Sequence, residues 1–422
     1  MRDLTNEDSF YIRYIQKIFF DLVKSYNFQV VEPSPLELLS TLEMKSGASI
    51  INEIYGFKDK GGRNIALRYD LTIGMTRFAT SRREMRIPIK LATFGGVWRY
   101  DEPQAGRYRY FNQWDIEIYD NFSLDSDAET IEFVSNFFYK LGLGDSIIIE
   151  ISDRRILEEY LKVNFKIQDE KMLVEIFRAI DKVPKKGLQN VCNEYKEISD
   201  QNILKDLLEV STVKGAIESI KSNPKIKNLK SIKYLEDLCM SLEHRNVKNI
   251  RINLGIVRGL DYYSGIVFEV FDIQSNIGSL VGGGRYDKLP VVFGRSDIGA
   301  AGAAGGVERI ILALQSHKNI IPTEEKNVIY IANSGIDVRK HVLKMVNFLR
   351  QKNYCIEYDI SNKTLKKQLS DASSKEAKLV IIIGPEEIAL QKVRIRNMTT
   401  GSESIEALIG LETKISNILS QS

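Results

Sequence analysis

Arg258-Gly259-Leu260-Asp261-Tyr262-Tyr263-Ser264-Gly265 gathers an arginine, an aspartate and two tyrosines into eight residues. Alternating apolar runs flank it, Ile252-Leu254-Ile256 before and Ile266-Phe268-Val270 after, and both read as strands. Most turns between strands carry small polar residues. Rings and a guanidinium in that place suit the wall of a pocket for a small, flat, polar ligand. On its own the segment fits a hairpin with a tyrosine corner equally well.

A second constellation lies in Phe111-Asn112-Gln113-Trp114-Asp115-Ile116-Glu117-Ile118-Tyr119, which has a strict two-residue period. Trp114, Ile116 and Ile118 share one face. Gln113, Asp115 and Glu117 share the other, with Phe111 and Tyr119 at its ends. The apolar face requires a core; the polar face is either solvated or lines a site. Arg99 on the preceding strand, with Arg68, Arg107 and Arg109 near the same hairpin, favours a site. Guanidiniums above a sheet that also carries carboxylates suit a ligand with anionic and cationic ends, such as an amino acid joined to a phosphate.

Two glycine-rich segments add a floor. Gly282-Gly283-Gly284-Arg285-Tyr286-Asp287 admits close backbone approach. Gly299 to Gly306 is nearly devoid of side chains and runs into Val307-Glu308-Arg309. It lacks the preceding parallel strand and the following ribose-binding acid of a dinucleotide fingerprint. A bare strand leaves room for a flat ring, and Arg309 in the next helical turn can reach a phosphate.

The elements that hold these groups read as follows. Asp8 to Tyr26 shows helical spacing, Gln29-Val30-Val31 is strand-like, and Pro33 and Pro35 stop it. Asn64 to Leu67 is a strand, and Leu71 to Thr80 a helix that Asp70 or Thr72 could cap. Lys90 to Trp98 and Tyr110 to Tyr119 form a long antiparallel hairpin around the loop Asp101-Glu102-Pro103-Gln104-Ala105-Gly106. Arg154 to His244 reads as an all-helical insertion, and strand texture returns from Asn249 to Phe293. After a linker with Pro322, strands and helices alternate, with mostly parallel strands and a closing helix near Ile405 to Leu419.

Bulk properties exclude several classes. The 422 residues allow two or three domains. Hydrophobic content of 43% and charged content of 27% are ordinary for a globular enzyme. No apolar run is long enough to span a membrane, and the start MRDLTNEDSF is no secretory signal, so a cytoplasmic location is expected. The scattered Cys192, Cys239 and Cys355, and His244, His317 and His341, argue against structural zinc or a histidine-built metal site. Chemistry must therefore rest on Arg, Glu, Asp, Gln and Tyr. A net charge of +3 does not announce a nucleic-acid binder.

Taken together, the arginine hairpin, the glycine-rich strand and the Glu-Arg helix resemble motifs 2 and 3 of class II aminoacyl-tRNA synthetases, with Phe10 to Pro35 supplying motif 1. Within that class, RGLDYYSG at 258–265 and GGGRYD at 282–287 resemble the two histidine-specific segments of the histidyl-tRNA synthetase family. LRYDLT at 67–72, RYDEPQAGRYRYFNQWDIE at 99–117 and TLKKQLSDASSKEAKLVIIIG at 364–384 are similar to it as well. The resemblance covers nearly the whole chain in order. Ala303, in place of a larger apolar residue, and Ser34, between two prolines, depart from the pattern.

The resemblance implies an α+β catalytic domain over 1–320: a class II antiparallel sheet flanked by helices, interrupted by the helical insertion 155–245. A C-terminal α/β anticodon-binding domain over 327–422 follows. It implies ATP-dependent ligation of histidine to its tRNA through a histidyl-adenylate, with Mg2+ on the phosphates, in a homodimer. Arg99 and Arg258 would grip the α-phosphate from opposite sides. Asp70 and Thr72 would hold the α-amino group, Gln113 and Glu117 would line the histidine pocket, and Tyr263 would meet the imidazole. Tyr262, Tyr286 and the backbone at Leu71 would complete the wall. Arg309 would take the γ-phosphate, Glu102 and Arg107 would contact ATP, and Gly302 and Gly306 would underlie the adenine. In the last domain, Lys363, Lys366, Lys367, Lys375, Lys378, Arg394 and Arg396 read as a solvated basic face or as tRNA phosphate contacts. The main rival is a non-catalytic paralogue that senses histidine for a phosphoribosyltransferase. A threonine enzyme would need a pocket zinc, and RGLDYY argues against a proline enzyme.

Overall fold

Ile89–Trp98 and Tyr110–Asp120 pair antiparallel, with Leu91 opposite Glu117 and Gly95 opposite Gln113. The computed structural model describes residues 3–46, 53–100, 108–195, 201–256, 263–275, 277–317, 327–335 and 337–420. The alternation at 113–118 is realised as read. Trp114 and Ile116 are wholly buried and Ile118 nearly so, on the core side. There Phe19, Phe133 and Phe137 surround Trp114, with ring centroids 5.7, 6.4 and 5.1 Å away. The Trp114–Phe137 pair meets edge to face and the other two are tilted, ring contacts that add to the burial itself.

Among the described residues this hairpin belongs to a nine-stranded sheet. Its order is Gln29–Val30, Ile89–Trp98, Tyr110–Asp120, Gly299–Gly306, Val281–Arg285, Ile266–Asp272, Ile147–Asp153, Ile250–Asn253, Lys214–Gly215. The six strands from Ile89–Trp98 to Ile147–Asp153 are antiparallel throughout. Helices Asn6–Ser25, Leu124–Lys140 and Val307–Ser316 join one hydrophobic cluster against the Trp114 face. The first of them starts at a capping box: Thr5 accepts from the Asp8 N–H, and the Asp8 carboxylate accepts from the Thr5 N–H.

The hairpin reading of the tyrosine segment does not hold. Ile250–Asn253 and Ile266–Asp272 lie on opposite sides of Ile147–Asp153, the former parallel to it and the latter antiparallel. Both flanking strands find their partner about a hundred residues earlier, a pairing that local alternation does not reveal. Arg258, Gly259, Leu260, Asp261 and Tyr262 lie outside the described residues, as do Glu102 and Arg107. The expected strand texture up to Phe293 is also interrupted, because Lys288–Val292 is helical.

The stretch expected to be all-helical contains helices Arg154–Phe165, Glu170–Lys186, Leu188–Glu194, Gln201–Ser211, Ile217–Ser222 and Ile232–His244. It also contributes the two-residue edge strand Lys214–Gly215, which pairs with Gly215 opposite Ile252. Leu157, Leu161, Ile176, Leu207 and Leu235 from these helices join the same hydrophobic cluster as the sheet.

Residues 323–422 form a second compact unit. Its sheet runs Cys355–Tyr358, Val328–Asn333, Leu379–Ile383, Lys392–Asn397, Glu403–Ala407. The first three strands are parallel and the last two antiparallel. Two expectations change here. The sheet is half antiparallel by pairing, and Ile405 belongs to a strand, opposite Arg394, rather than to the closing helix. Gly410, at φ +80°, breaks the chain before helix Leu411–Ser420 begins.

Candidate active site

On the polar side of the nine-stranded sheet a cavity of about 510 Å³ opens over the Gly299–Gly306 strand. The register explains why the space exists. Glu117 pairs with Gly302 and Gly302 with Gly284; Asp115 pairs with Ala304 and Ala304 with Gly282; Gln113 pairs with Gly306. Cross-strand partners share a face, so two adjacent strands offer only glycine and alanine beside a row of polar side chains. Gly302 cannot be replaced without cost, since a Cβ there would sit 1.6 Å from Glu117 Oε2. Gly302→Ala is expected to destabilise the fold by roughly 1–3 kcal/mol and to weaken binding of the ligand that Glu117 faces. Denaturant melts and calorimetry measure the two effects.

Carboxylates and phenols crowd one end of the cavity. Glu117 is 1% exposed and accepts a hydrogen bond from the Tyr286 hydroxyl. Tyr263 lines the same end. Burial, reinforced by the charge of Glu117, holds its phenol protonated well above the usual tyrosine range. Tyr119 is raised in the same way, and its hydroxyl lies 3.0 Å from that of Thr76. Thr72 donates to Asp115 at 3.1 Å, and Asp70 accepts the Ile73 N–H at 3.3 Å in the first turn of helix Thr72–Ser81, whose N-cap position falls to Leu71 rather than to Asp70 or Thr72. The Leu71 side chain turns away into the apolar cluster with Met75, Leu91 and Val97. Asp70 and Glu117 in the lining, with Asp115 buried behind them, make this end a place for a cationic or N–H-rich ligand.

The lining also carries the opposite charge, on Arg99 and Arg309. Arg99 donates from Nε to the Tyr69 carbonyl at 3.0 Å and lies 5.2 Å from the Phe111 ring centroid. Arg309 donates to the Ser279 carbonyl at 2.7 Å. The neighbouring Glu308 accepts the Asn112 N–H at 2.9 Å and its side-chain amide at 3.1 Å, tying the first turn of helix Val307–Ser316 to the hairpin. Guanidiniums held by backbone carbonyls at fixed points suit phosphate oxygens.

The sequence-derived residues Asp70, Thr72, Arg99, Gln113, Glu117, Tyr263, Tyr286, Gly302, Gly306 and Arg309 all line this one cavity. Arg68 is different in kind. It is buried and spends its guanidinium on the carbonyls of Gly96 at 2.8 Å and Pro33 at 2.5 Å. It braces the hairpin rather than the ligand. Arg109 stacks on the Tyr100 ring at 4.5 Å. Glu269 and Ser279 are among the lining residues that escaped the sequence reading, with Tyr108, Leu280 and Val281. The signal for Glu269 was present as a lone carboxylate within Ile266-Val267-Phe268-Glu269-Val270. Its register partner Gly282 puts it on the floor's polar face. Among the described residues no cluster of three or more His, Cys, Asp or Glu could hold a metal ion, and no helix is long and apolar enough to cross a membrane.

Comparison with known proteins bears on both units. The family model described as histidyl-tRNA synthetase matches residues 1–310, and that described as anticodon binding domain matches 320–418. The histidine–tRNA ligase of Pyrococcus horikoshii is 32% identical, over 99% of this chain and 98% of that one. That of Saccharolobus shibatae is 33% identical, over 99% and 98%. A crystal structure of histidyl-tRNA synthetase from a Nostoc species superposes with a TM-score of 0.77 at 22% identity, covering 99% of this chain and 97% of that one. A Bacillus halodurans structure described as an ATP phosphoribosyltransferase regulatory subunit/histidyl-tRNA synthetase gives 0.73 at 19%, covering 91% and 97%. These last two likenesses concern the fold.

Proposed function

The chain belongs to the histidyl-tRNA synthetase family, and on that premise we propose the residue roles by which its cavity joins histidine to tRNA. The reaction has two steps, and ATP is consumed in the first. A histidine carboxylate oxygen attacks the α-phosphorus, the bond to the bridging oxygen breaks, and pyrophosphate leaves. A terminal ribose hydroxyl of tRNA then attacks the acyl carbon, and AMP leaves. The observation that carries the assignment is the pairing of an acidic, tyrosine-lined end with an arginine end over one bare glycine floor.

Little covalent help is needed from the protein. The task is to bring two anions together and to stabilise the charge that develops on the phosphoryl group. Arg99 would hold the α-phosphate and Arg309 the γ-phosphate, a reading supported by their place in the cavity lining, each on a backbone carbonyl. Glu117 and Tyr263 would satisfy the two imidazole nitrogens, with Asp70 and Thr72 on the α-amino group. Gln113 and Tyr286 would close the pocket wall, with the backbone at Leu71 beside them, and adenine would lie along Gly302 to Gly306. Arg258, Tyr262, Glu102 and Arg107 are assigned on their motifs alone. Mg2+ would be held chiefly by the phosphate oxygens, with the carboxylate of Glu269 in the lining as a candidate hard oxygen donor, and would lower the phosphate charge.

In the second unit several of the basic residues already have acidic partners. Lys363 pairs with Asp371, Lys375 with Glu357, and Arg394 and Arg396 with Glu403. Lys366 and Lys367, exposed on helix Leu365–Ser374, are the better candidates for tRNA phosphates. A cytoplasmic homodimer fits the family, and exposed Val30, Leu36, Leu38 and Phe57 offer apolar surface for a partner subunit.

Histidine-dependent exchange of pyrophosphate into ATP is the expected activity. A protein that binds histidine but shows no exchange would support the regulatory-paralogue reading instead.

A further inference from the structure

A buried ionic network leads from the helical insertion to the tyrosines of the histidine end. Tyr234, on helix Ile232–His244, donates its hydroxyl to Asp127 Oδ2 at 2.6 Å. Asp127, on helix Leu124–Lys140, is 1% exposed, and its Oδ1 accepts from Arg285 Nε at 2.9 Å. Arg285 is itself buried and donates to the Ser123 carbonyl at 2.6 Å, with Asp287 at 3.2 Å and Asp120 at 3.5 Å. The far side of the network reaches the cavity. Asp287 accepts from the Ser264 hydroxyl at 2.8 Å, and the Ser264 N–H donates to the Arg285 carbonyl at 2.7 Å. Tyr263 precedes Ser264 and Tyr286 follows Arg285, so both pocket tyrosines are chain neighbours of this hub.

Charge makes the outer members of the network matter. Three carboxylates, Asp120, Asp127 and Asp287, surround one guanidinium. Such a buried set needs further donors to hold a single arrangement. Burial pushes the Asp127 carboxyl up to about 6 even with Arg285 alongside, and the Tyr234 hydroxyl acts in the opposite direction. Tyr234 is in turn held from behind by Arg155, whose guanidinium lies 3.8 Å from its ring centroid and grips Asp153 at 2.6 Å. The adjacent Arg154 donates to the Tyr263 carbonyl at 2.9 Å.

We propose that Tyr234 is a positioning residue for the amino-acid end: its hydroxyl orients Asp127, Asp127 orients Arg285, and Arg285 sets Tyr263 and Tyr286. The insertion thereby tunes affinity for the amino acid without touching it. The proposal rests on reading this cavity as the histidine site.

An internal control is available, because Tyr160 donates to Asp206 in the same insertion and that pair leads on to Lys225 and Glu209 rather than to the cavity. Tyr234→Phe and Tyr160→Phe each remove one hydroxyl and keep the ring. Both are expected to lower the melting temperature slightly. Only Tyr234→Phe is expected to raise the KM and the calorimetric Kd for histidine, by roughly 3- to 30-fold, less than the roughly 10- to 150-fold of a hydrogen bond lost directly to a charged group because the effect is relayed, with the KM for ATP unmoved. Asp127→Asn, close in shape but without the charge, is expected to show the same split between the two substrates. An unchanged histidine KM in Tyr234→Phe, or an equal rise in Tyr160→Phe, overturns the proposal. Wild-type protein that fails to bind histidine overturns the site assignment itself, a result distinct from either.

Discussion

Glu117→Ala is expected to abolish the preference for histidine over amino acids of similar size, a loss on the order of 10⁴-fold in relative kcat/KM. The size of the effect follows from burial. Glu117 sits almost fully out of water and is fixed by the Tyr286 hydroxyl, with Gly302 leaving room beside it. A buried carboxylate held that firmly discriminates because a ligand without a matching N–H leaves it unpaired. Tyr263, kept protonated by the same low-dielectric surroundings, supplies the complementary hydroxyl. Truncation removes the acceptor and leaves the Tyr286 hydroxyl without it, so the pocket loses its means of sensing the imidazole. Pyrophosphate exchange with histidine, glutamine and asparagine measures this directly. Retained selectivity in the variant would remove Glu117 from the recognition set.

Arg99→Ala is the second large effect, an expected fall in kcat of roughly 10²–10³, by analogy with the loss of one donor to a developing oxyanion. Among the described residues, the Tyr69 carbonyl on Nε and the Phe111 ring hold Arg99. That arrangement leaves its terminal nitrogens directed by the fork geometry of the guanidinium. Arg99→Lys is expected to recover little, since an ammonium group cannot keep both the carbonyl contact and a bidentate grip on phosphate. Single-turnover adenylate formation separates the chemical step from substrate binding. A variant with unchanged single-turnover rate would show that Arg99 is structural, as Arg68 is.

The contrast between these two arginines shows where sequence reasoning stops. Both stand near the hairpin, and type and spacing cannot separate them. Only the fold reveals that Arg68 is consumed by the carbonyls of Gly96 and Pro33. Glu269 makes the converse point: an acid in an apolar strand is visible in sequence, but its place on the cavity floor depends on pairing with Gly282. Ile405 was misread because an apolar residue shortly before a helix fits either period until its strand partner is known.

What the amino-acid order determined by itself is the chemistry. The strict alternation from Gln113 to Ile118 separates a carboxylate face from a core face, and the glycines at 282–284 with the glycines and alanines at 299–306 dictate a floor nearly without side chains. These are local properties, set by the two-residue period of a strand and by the absence of a Cβ. Tertiary structure alone decided which strands are neighbours. It put Ile147–Asp153 between the two strands flanking the tyrosine segment, brought Tyr286 onto Glu117, and linked Tyr234 to Arg285 through Asp127. Those contacts join residues some 100 to 170 positions apart, and their energy comes from burying charges and rings together, which no short window of sequence contains.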